Sequence, residues 1–240
     1  MPNPARTIFP FPIGGYILAG GRSSRMGTDK ALLQLGGKPL IQHAVAKLRR
    51  ICADVHILSG NPALAAHAPL LPDLHPGCGP LGGMEAALAH SVFDWNLFLP
   101  VDMPFLPTTF LHHWGSGFLG RRRIRIAFFN VFGVPQPALS LIHRDAARTI
   151  AGAVARGELK LLTVLEAAAS ELAPADAQPF ERVPYMLSID ENLRFASGNP
   201  GHVWQVITPA QRSAQSLWFT NLNTPEDFVD AERHANALDT

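Results

Sequence analysis

Surplus charge is almost absent from this chain: 20 Lys and Arg stand against 19 Asp and Glu, a net +1. Bulk charge therefore gives no case for a nucleic-acid or membrane surface, and any anion site must be local. Cysteine is as scarce. Cys52 and Cys78 offer neither a disulfide framework nor zinc-ligand spacing, and His75 beside Cys78 makes two ligands, not a site. The opening MPNPARTIFPFPIGG has one Arg and an apolar run broken by prolines, neither a good signal peptide nor a membrane span. A soluble cytoplasmic protein is expected. Charged residues are 16% against 47% apolar, a globular and not a disordered balance. The 240 residues suffice for a sizeable core. With no internal repeat and no long linker, one domain over 1–240 is expected, preceded by a Pro-containing extension at 1–12.

What is present is a run of alternating elements. IGGYILA (13–19) reads as a short buried strand, weakened slightly by its glycines. In PLIQHAVAKLRRI (39–51), Leu40, Ile41, Ala44, Val45, Leu48 and Ile51 share one helical face and Pro39 suits the first turn. ADVHILSGN (53–61) is a second strand, so the three form a βαβ unit with parallel neighbours. GPLGGMEAALAHSV (79–92) is a glycine-rich turn leading into a helix, and WNLFLPVDMPFL (95–106) is a nearly all-apolar strand that breaks at Asp102. A helix is expected after Pro107, strands at 123–132 and 137–145, and a helix at 145–157 stopped by Gly157. The stretch from about 166 to 215 is rich in turn residues without clean periodicity and reads as an irregular insertion with one strand. SLWFTNLN (216–223) reads as a last strand. NTPEDFVDAERHANA then starts a helix, with Thr224 as N-cap, Pro225 in the first turn, and Glu226 and Asp227 at its positive end.

Two local features carry chemistry. LAGGRSSRMGTDK (18–30) places Gly20, Gly21 and Gly27 among Arg22, Arg25 and Lys30. Backbone N–H groups freed by glycine, with cations nearby, make a phosphate cradle. The loop lacks the closing Gly-Lys-Ser/Thr of a Walker A motif and the G-x-G-x-x-G dinucleotide fingerprint, and a solvated turn is the plain alternative. Arg22, Ser23 and Ser24 read as solvated. The second feature is Asp102, at the C-terminal end of a central strand, the edge where open α/β sheets bind ligands. It suits a Mg²⁺ ion whose other ligands are phosphate oxygens, or equally an N-cap for the next segment.

The 18–30 stretch, continued by ALLQLGGKPLI, resembles the signature loop of nucleotidyltransferases that activate sugars and cofactors, L-A-G-G-x-S-x-R-M-G-x-D-K. Asp73 ahead of GPLGGM (79–84), VDMP (101–104) and NLNTPEDF (221–228) follow in order. Together with GVPQPALSLIHRD (133–145) and GELKLL (157–162), they resemble the molybdenum cofactor guanylyltransferase family. That resemblance implies a Rossmann-like three-layer α/β/α sandwich with a mostly parallel sheet, of the nucleotide-diphospho-sugar transferase type. It implies Mg²⁺-dependent transfer of GMP from GTP to the phosphate of molybdenum-bound molybdopterin, with pyrophosphate as co-product. It also implies contact with molybdoenzymes or cofactor-insertion proteins downstream.

Carried over residue by residue, Leu18, Ala19, Gly20 and Gly21 match backbone lining the nucleotide. Arg25 and Lys30 match the triphosphate-binding cations, Asp73 a nucleotide-contacting carboxylate, and Asp102 the Mg²⁺ ligand. Gly79 and Gly83 match the loop beside the base. Asn221 and Asn223 match a polar pair near the acceptor, although asparagines there serve as well for turns and caps. Ser59 and Asn61, in LSGN, stand on the nucleotide side. The family often has asparagine at the place of Ser59, so CTP remains an alternative to GTP. The 166–215 stretch is longer than the family's usual spacing. Other readings are a sugar-1-phosphate nucleotidyltransferase and a non-catalytic nucleotide- or pterin-binding paralogue.

Overall fold

The structure, a computed structural model, describes residues 11–20, 29–118, 121, 123–189 and 207–239. Its centre is a seven-stranded sheet, and its strands follow the expected alternation closely. β1 (Phe11–Leu18) leads through the two-residue strands β2 (Gln34–Leu35) and β3 (Lys38–Pro39) to α1 (Leu40–Arg49), then β4 (Cys52–Leu58) and β5 (Leu70–Leu71). After α2 (Gly79–His90), β6 (Trp95–Pro100) and α3 (Thr108–Ser116) come β7 (Ile126–Val131), β8 (Val134–His143), α4 (Ala147–Ala155), α5 (Leu161–Leu172) and β9 (Tyr185–Ile189). Two further helices are α6 (Pro209–Ser213) and α7 (Pro225–Glu232).

The sheet order is β5-β4-β1-β6-β8-β7-β9. β5, β4, β1 and β6 pair in parallel; β8 runs antiparallel to both β6 and β7, and β9 is parallel to β7. Strand alternation sends side chains to two layers. Ile13, Ile17, Ile57, Leu97 and Leu99 face α1 and α3, where Leu40, Ile41, Leu48, Phe110 and Trp114 meet them. Tyr16, Leu58, Phe98, Phe128 and Ile142 face α2, α4 and α5 through Leu81, Met84, Ile150 and Leu165. The expected three-layer α/β/α sandwich is what these two cores build. Each fully buried Leu or Ile of α1 contributes on the order of 2 kcal/mol, which is why its apolar stripe was readable in sequence.

Three expectations change. GPLGG is not a turn before a helix: α2 is helical from Gly79, whose φ of +60° suits glycine at the entry. The stretch expected to be irregular from 166 begins inside α5, which runs to Leu172; its expected strand is β9, and residues 190–206 lie outside the described structure. SLWFTNLN is not a strand. Gln215–Leu217 form a 3-10 turn, and the amides of Trp218 and Thr220 donate to the carbonyls of Gln215 and Leu217. The buried positions are Trp218 and Leu222, four apart and not two, so the apolar run imitates a strand without its alternation.

Candidate active site at the ends of the parallel strands

Register fixes the outline of the site. Leu18 is level with Leu58 on one side and Pro100 on the other, and Leu58 is level with Leu71. Four parallel strands therefore finish in one row, roughly 14 Å wide at the usual strand spacing. Ala19 and Gly20, Ser59, Asp73 and Asp102 follow that row by one or two residues. β1 connects toward β4, and β6 toward β8, so the crevice between β1 and β6 is the switch point where such sheets receive ligands.

Asp102 sits at this crevice. Its Oδ2 accepts from Lys30 Nζ at 2.6 Å, and the same ammonium donates to Asn223 Oδ1 at 2.7 Å. The Lys30 and Asp102 side chains are 18% and 19% exposed, so they are held yet within reach of a solute. Lys30 opens a short 3-10 turn, Lys30–Leu32, capped by Asp29. Asn223 is fixed from behind: its amide and that of Thr224 donate to Asp227 Oδ2, both at 2.7 Å, and its Nδ2 donates to the Asn221 carbonyl at 3.3 Å. Those two backbone donors hold the Asp227 carboxyl below its ordinary value. The Leu222 amide donates to the Asp102 carbonyl at 3.1 Å, which ties this C-terminal segment to the Asp102 loop. Asn221 Oδ1 is buried and has no hydrogen-bond partner among the described residues.

The other candidates spread along the row. The Leu18 carbonyl accepts from the Val101 amide at 3.2 Å. A Cβ on Gly20 would lie 3.4 Å from the Leu58 carbonyl, so the chain passes β4 closely there. Asp73 lies against α2, where a Cβ on Gly82 would come within 3.4 Å of its Oδ2 and one on Gly83 within 3.6 Å of its Oδ1. Burial, and then the nearby Glu85 carboxylate, push the Asp73 carboxyl up. Gly83 is buried inside α2 against Leu58, and Gly79 opens that helix; neither forms part of a loop. Gly21 and Arg25 lie outside the described residues, as do Arg22, Ser23, Ser24 and Gly27.

Ser59 and Asn61 take a form that the sequence did not announce. Ser59 is buried, and its Oγ accepts from the Asn61 amide at 3.1 Å. Asn61 Oδ1 accepts from the Ala63 amide at 3.0 Å, and its Nδ2 donates to Asp29 Oδ2 at 2.5 Å. Both side-chain atoms of Asn61 therefore have protein partners. Glu85 was also missed; it is buried, and its Oε2 meets His75 Nδ1 at 2.9 Å. Its signal was a lone charge in the otherwise apolar GPLGGMEAALA. No group of three or more His, Cys, Asp or Glu that could hold a metal exists among the described residues, and His75 turns to Glu85 and not to Cys78. Nor is any helix among them long and apolar enough to cross a membrane.

Comparison with known proteins bears on the family and the fold. The family profile of the MobA-like NTP transferase domain matches residues 15–172, more than half of the chain. A protein of Yersinia pestis (strain Pestoides F) named molybdenum cofactor guanylyltransferase is 35% identical over 159 residues, 64% of this chain and 80% of that one. The crystal structure of molybdopterin-guanine dinucleotide biosynthesis protein A from Archaeoglobus fulgidus superposes with a TM-score of 0.63 at 22% identity, covering 94% of this chain and 100% of that one. The 2-C-methyl-D-erythritol 4-phosphate cytidylyltransferase of Thermus thermophilus gives a TM-score of 0.55 at 15% identity, over 94% and 100% of the two chains. These two likenesses concern the fold, which relatives with different substrates share. The chain is a nucleotidyltransferase and belongs to the MobA-like NTP transferase family.

Proposed function

We propose that this enzyme transfers GMP from GTP to the phosphate of molybdenum-bound molybdopterin, forming the guanine dinucleotide and releasing pyrophosphate. The observation that carries the reading is the junction of Lys30, Asp102 and Asn223 at the end of β6, in a chain 35% identical to a protein named molybdenum cofactor guanylyltransferase. An oxygen of the acceptor phosphate attacks the α-phosphorus of GTP; the bond to the β-phosphate oxygen breaks, and pyrophosphate leaves with the electron pair. The acceptor phosphate is ionised at neutral pH, so the step needs no general base. The enzyme's work is to align two polyanions and balance their charge.

Lys30 neutralises the leaving pyrophosphate, and Arg25 joins it there. The backbone of Leu18, Ala19, Gly20 and Gly21 lines the triphosphate, where the absence of Cβ atoms at the glycines lets N–H groups approach. Asp73 contacts the nucleoside on the β4–β5 side, next to Ser59 and the α2 residues Gly79 and Gly83. Asn221 and Asn223 border the acceptor. Mg²⁺ is the cofactor of this reading, and Asp102 fits it: a part-exposed carboxylate at the strand edge, with Lys30 on Oδ2. When bound to Asp102, the ion supplies positive charge to the reacting phosphates. The working compartment is the cytoplasm, where molybdoenzymes or cofactor-insertion proteins receive the product.

The test is pyrophosphate release from purified protein with Mg²⁺ and molybdenum-bound molybdopterin, comparing GTP, CTP and ATP. Release with GTP alone is expected. Release with CTP alone would make the protein a cytidylyltransferase. Tight nucleotide binding without release would point to a different acceptor or to the non-catalytic reading.

A further inference from the structure

Asp29 has no part in the chemistry above, yet it touches both walls of the site. Its Oδ1 accepts from the Ala31 amide at 2.9 Å and so caps the turn that presents Lys30. Its Oδ2 accepts from Asn61 Nδ2 at 2.5 Å. Asn61 in turn caps the Pro62–Leu64 turn through Oδ1, and its backbone amide donates to Ser59 Oγ. One carboxylate thus joins the loop carrying the phosphate-side ammonium to the loop at the end of β4. The amide orientation is fixed by chemistry: turned over, Asn61 would set its NH₂ against the Ala63 N–H and its oxygen against a carboxylate.

We propose that Asp29 and Asn61 are positioning residues that form a strut, setting the distance between the triphosphate wall and the nucleoside wall. This rests on the reading of the site as a nucleoside triphosphate cradle. A ligand that spans both walls gains when they are already in register, because the second contact is then nearly intramolecular. A ligand that touches one wall gains nothing from the strut. The inference therefore separates ligands by length: GTP needs the strut, whereas inorganic tripolyphosphate and guanosine, each using one wall, do not.

The chemistry of the strut provides its own rescue. Asp29→Asn sets an NH₂ against the NH₂ of Asn61, and Asn61→Asp sets a carboxylate against a carboxylate. The double variant Asp29→Asn with Asn61→Asp reverses donor and acceptor and restores the bond. Both residues remain able N-caps, and the net charge is unchanged.

Calorimetric titration of wild type, each single variant and the double variant, with GTP, tripolyphosphate and guanosine in the presence of Mg²⁺, decides the matter. Each single variant is expected to weaken GTP roughly tenfold or more, the usual scale for losing a charge-assisted hydrogen bond. Tripolyphosphate and guanosine should stay within about threefold of wild type, and the double variant should recover GTP to a similar margin. A double variant as weak as the singles would overturn the strut. Singles that bind GTP normally, or that lose tripolyphosphate as fully as GTP, would overturn it too. A wild-type chain that binds no GTP would instead refute the functional reading and remove the strut with it. If a single variant fails to fold, Asn61→Ala, which removes Nδ2 without adding charge, replaces it under the same criteria.

Discussion

The parallel half of the sheet and the C-terminal segment from 207 to 239 build the same site by different means. In the parallel half, β5, β4, β1 and β6 end level because ladder register aligns them, residue by residue. In the C-terminal segment there is no ladder. Individual hydrogen bonds grip three places: the Leu222 amide on the Asp102 carbonyl in the loop after β6, Asn223 Oδ1 on the Lys30 ammonium in the turn after β1, and Asp239 on Thr108 at the start of α3. Asp239 Oδ2 also meets Lys47, a lysine whose side chain is 1% exposed and whose ammonium donates to the Leu106 carbonyl as well. A sheet spreads its positional control over many equivalent bonds. A clasp concentrates it in a few, so single substitutions there should be costly.

The largest effect is expected where the two regions meet. Asp102→Ala should lower turnover roughly 10³-fold or more, because the carboxylate that would hold Mg²⁺ beside the reacting phosphates is lost; near-normal pyrophosphate release would refute the assignment. Lys30→Met follows. Pyrophosphate release should fall roughly a hundredfold in kcat/KM, with both binding and rate affected, and an unchanged KM for the nucleotide would remove Lys30 from the triphosphate.

Next comes the clasp itself. Asp239→Asn leaves Lys47 buried against a neutral partner and should cost about 3–5 kcal/mol of stability, read from denaturant unfolding. Burial alone would push the Asp239 carboxyl up, but Lys47 and the Thr108 donors outweigh it and hold the folded value below the ordinary one. The stabilisation is therefore fully present above the unfolded value of about 4 and is lost as pH falls through the lower folded value. The gap between wild type and Asp239→Asn should close over that acidic range; a gap that persists into strong acid would mean the charge is not its source. In the parallel half, Gly15→Ala should cost about 1–3 kcal/mol by overpacking, since its Cβ would lie 2.8 Å from Cys52 Sγ and 3.3 Å from the Asp54 carbonyl. A loss from Gly15→Ala larger than that from Asp239→Asn would reverse the comparison between ladder and clasp.

The same contrast decides what could be read from the sequence. β1 and β6 were legible because strands buried on both faces are nearly all apolar, β4 because a strand-like run ends in the turn residues of SGN, and α1 because its stripe recurs at helical spacing. The start of α7 was legible from local chemistry: Thr224 does cap it, accepting from the Asp227 amide at 3.2 Å. Asp102 was legible as a carboxylate ending an apolar run. What was not legible depends on partners far away in sequence. Lys30 and Asn223 are 193 residues apart, and Asp29 and Asn61 are 32 apart. No spacing rule links them, so the sequence put Asn61 on the nucleotide side and Asp29 in a motif without showing the bond that joins them. SLWFTNLN failed for a related reason: its run of large apolar residues suits a strand, but Trp218 is drawn down by a hydrogen bond from its indole to the Gln211 carbonyl at 3.0 Å.

The place of β8 has a consequence for the order in which the sheet assembles. β8 lies between β6 and β7, although β7 precedes it in the chain. β7 therefore reaches the parallel half only through β8, and its other neighbour, β9, comes later in the chain. The connection between them is two residues, Phe132 and Gly133, with φ of +52° and +82°, the backbone hand that suits a tight hairpin. The hairpin can close locally on a microsecond scale, whereas its docking onto β6 must close a much longer loop. β7 and β8 are therefore expected to arrive at the parallel half as a formed pair. Pulse-labelled hydrogen exchange should show protection at Ile126–Phe128 and Ser140–Ile142 before Trp95–Phe98, and the reverse order would exclude this route.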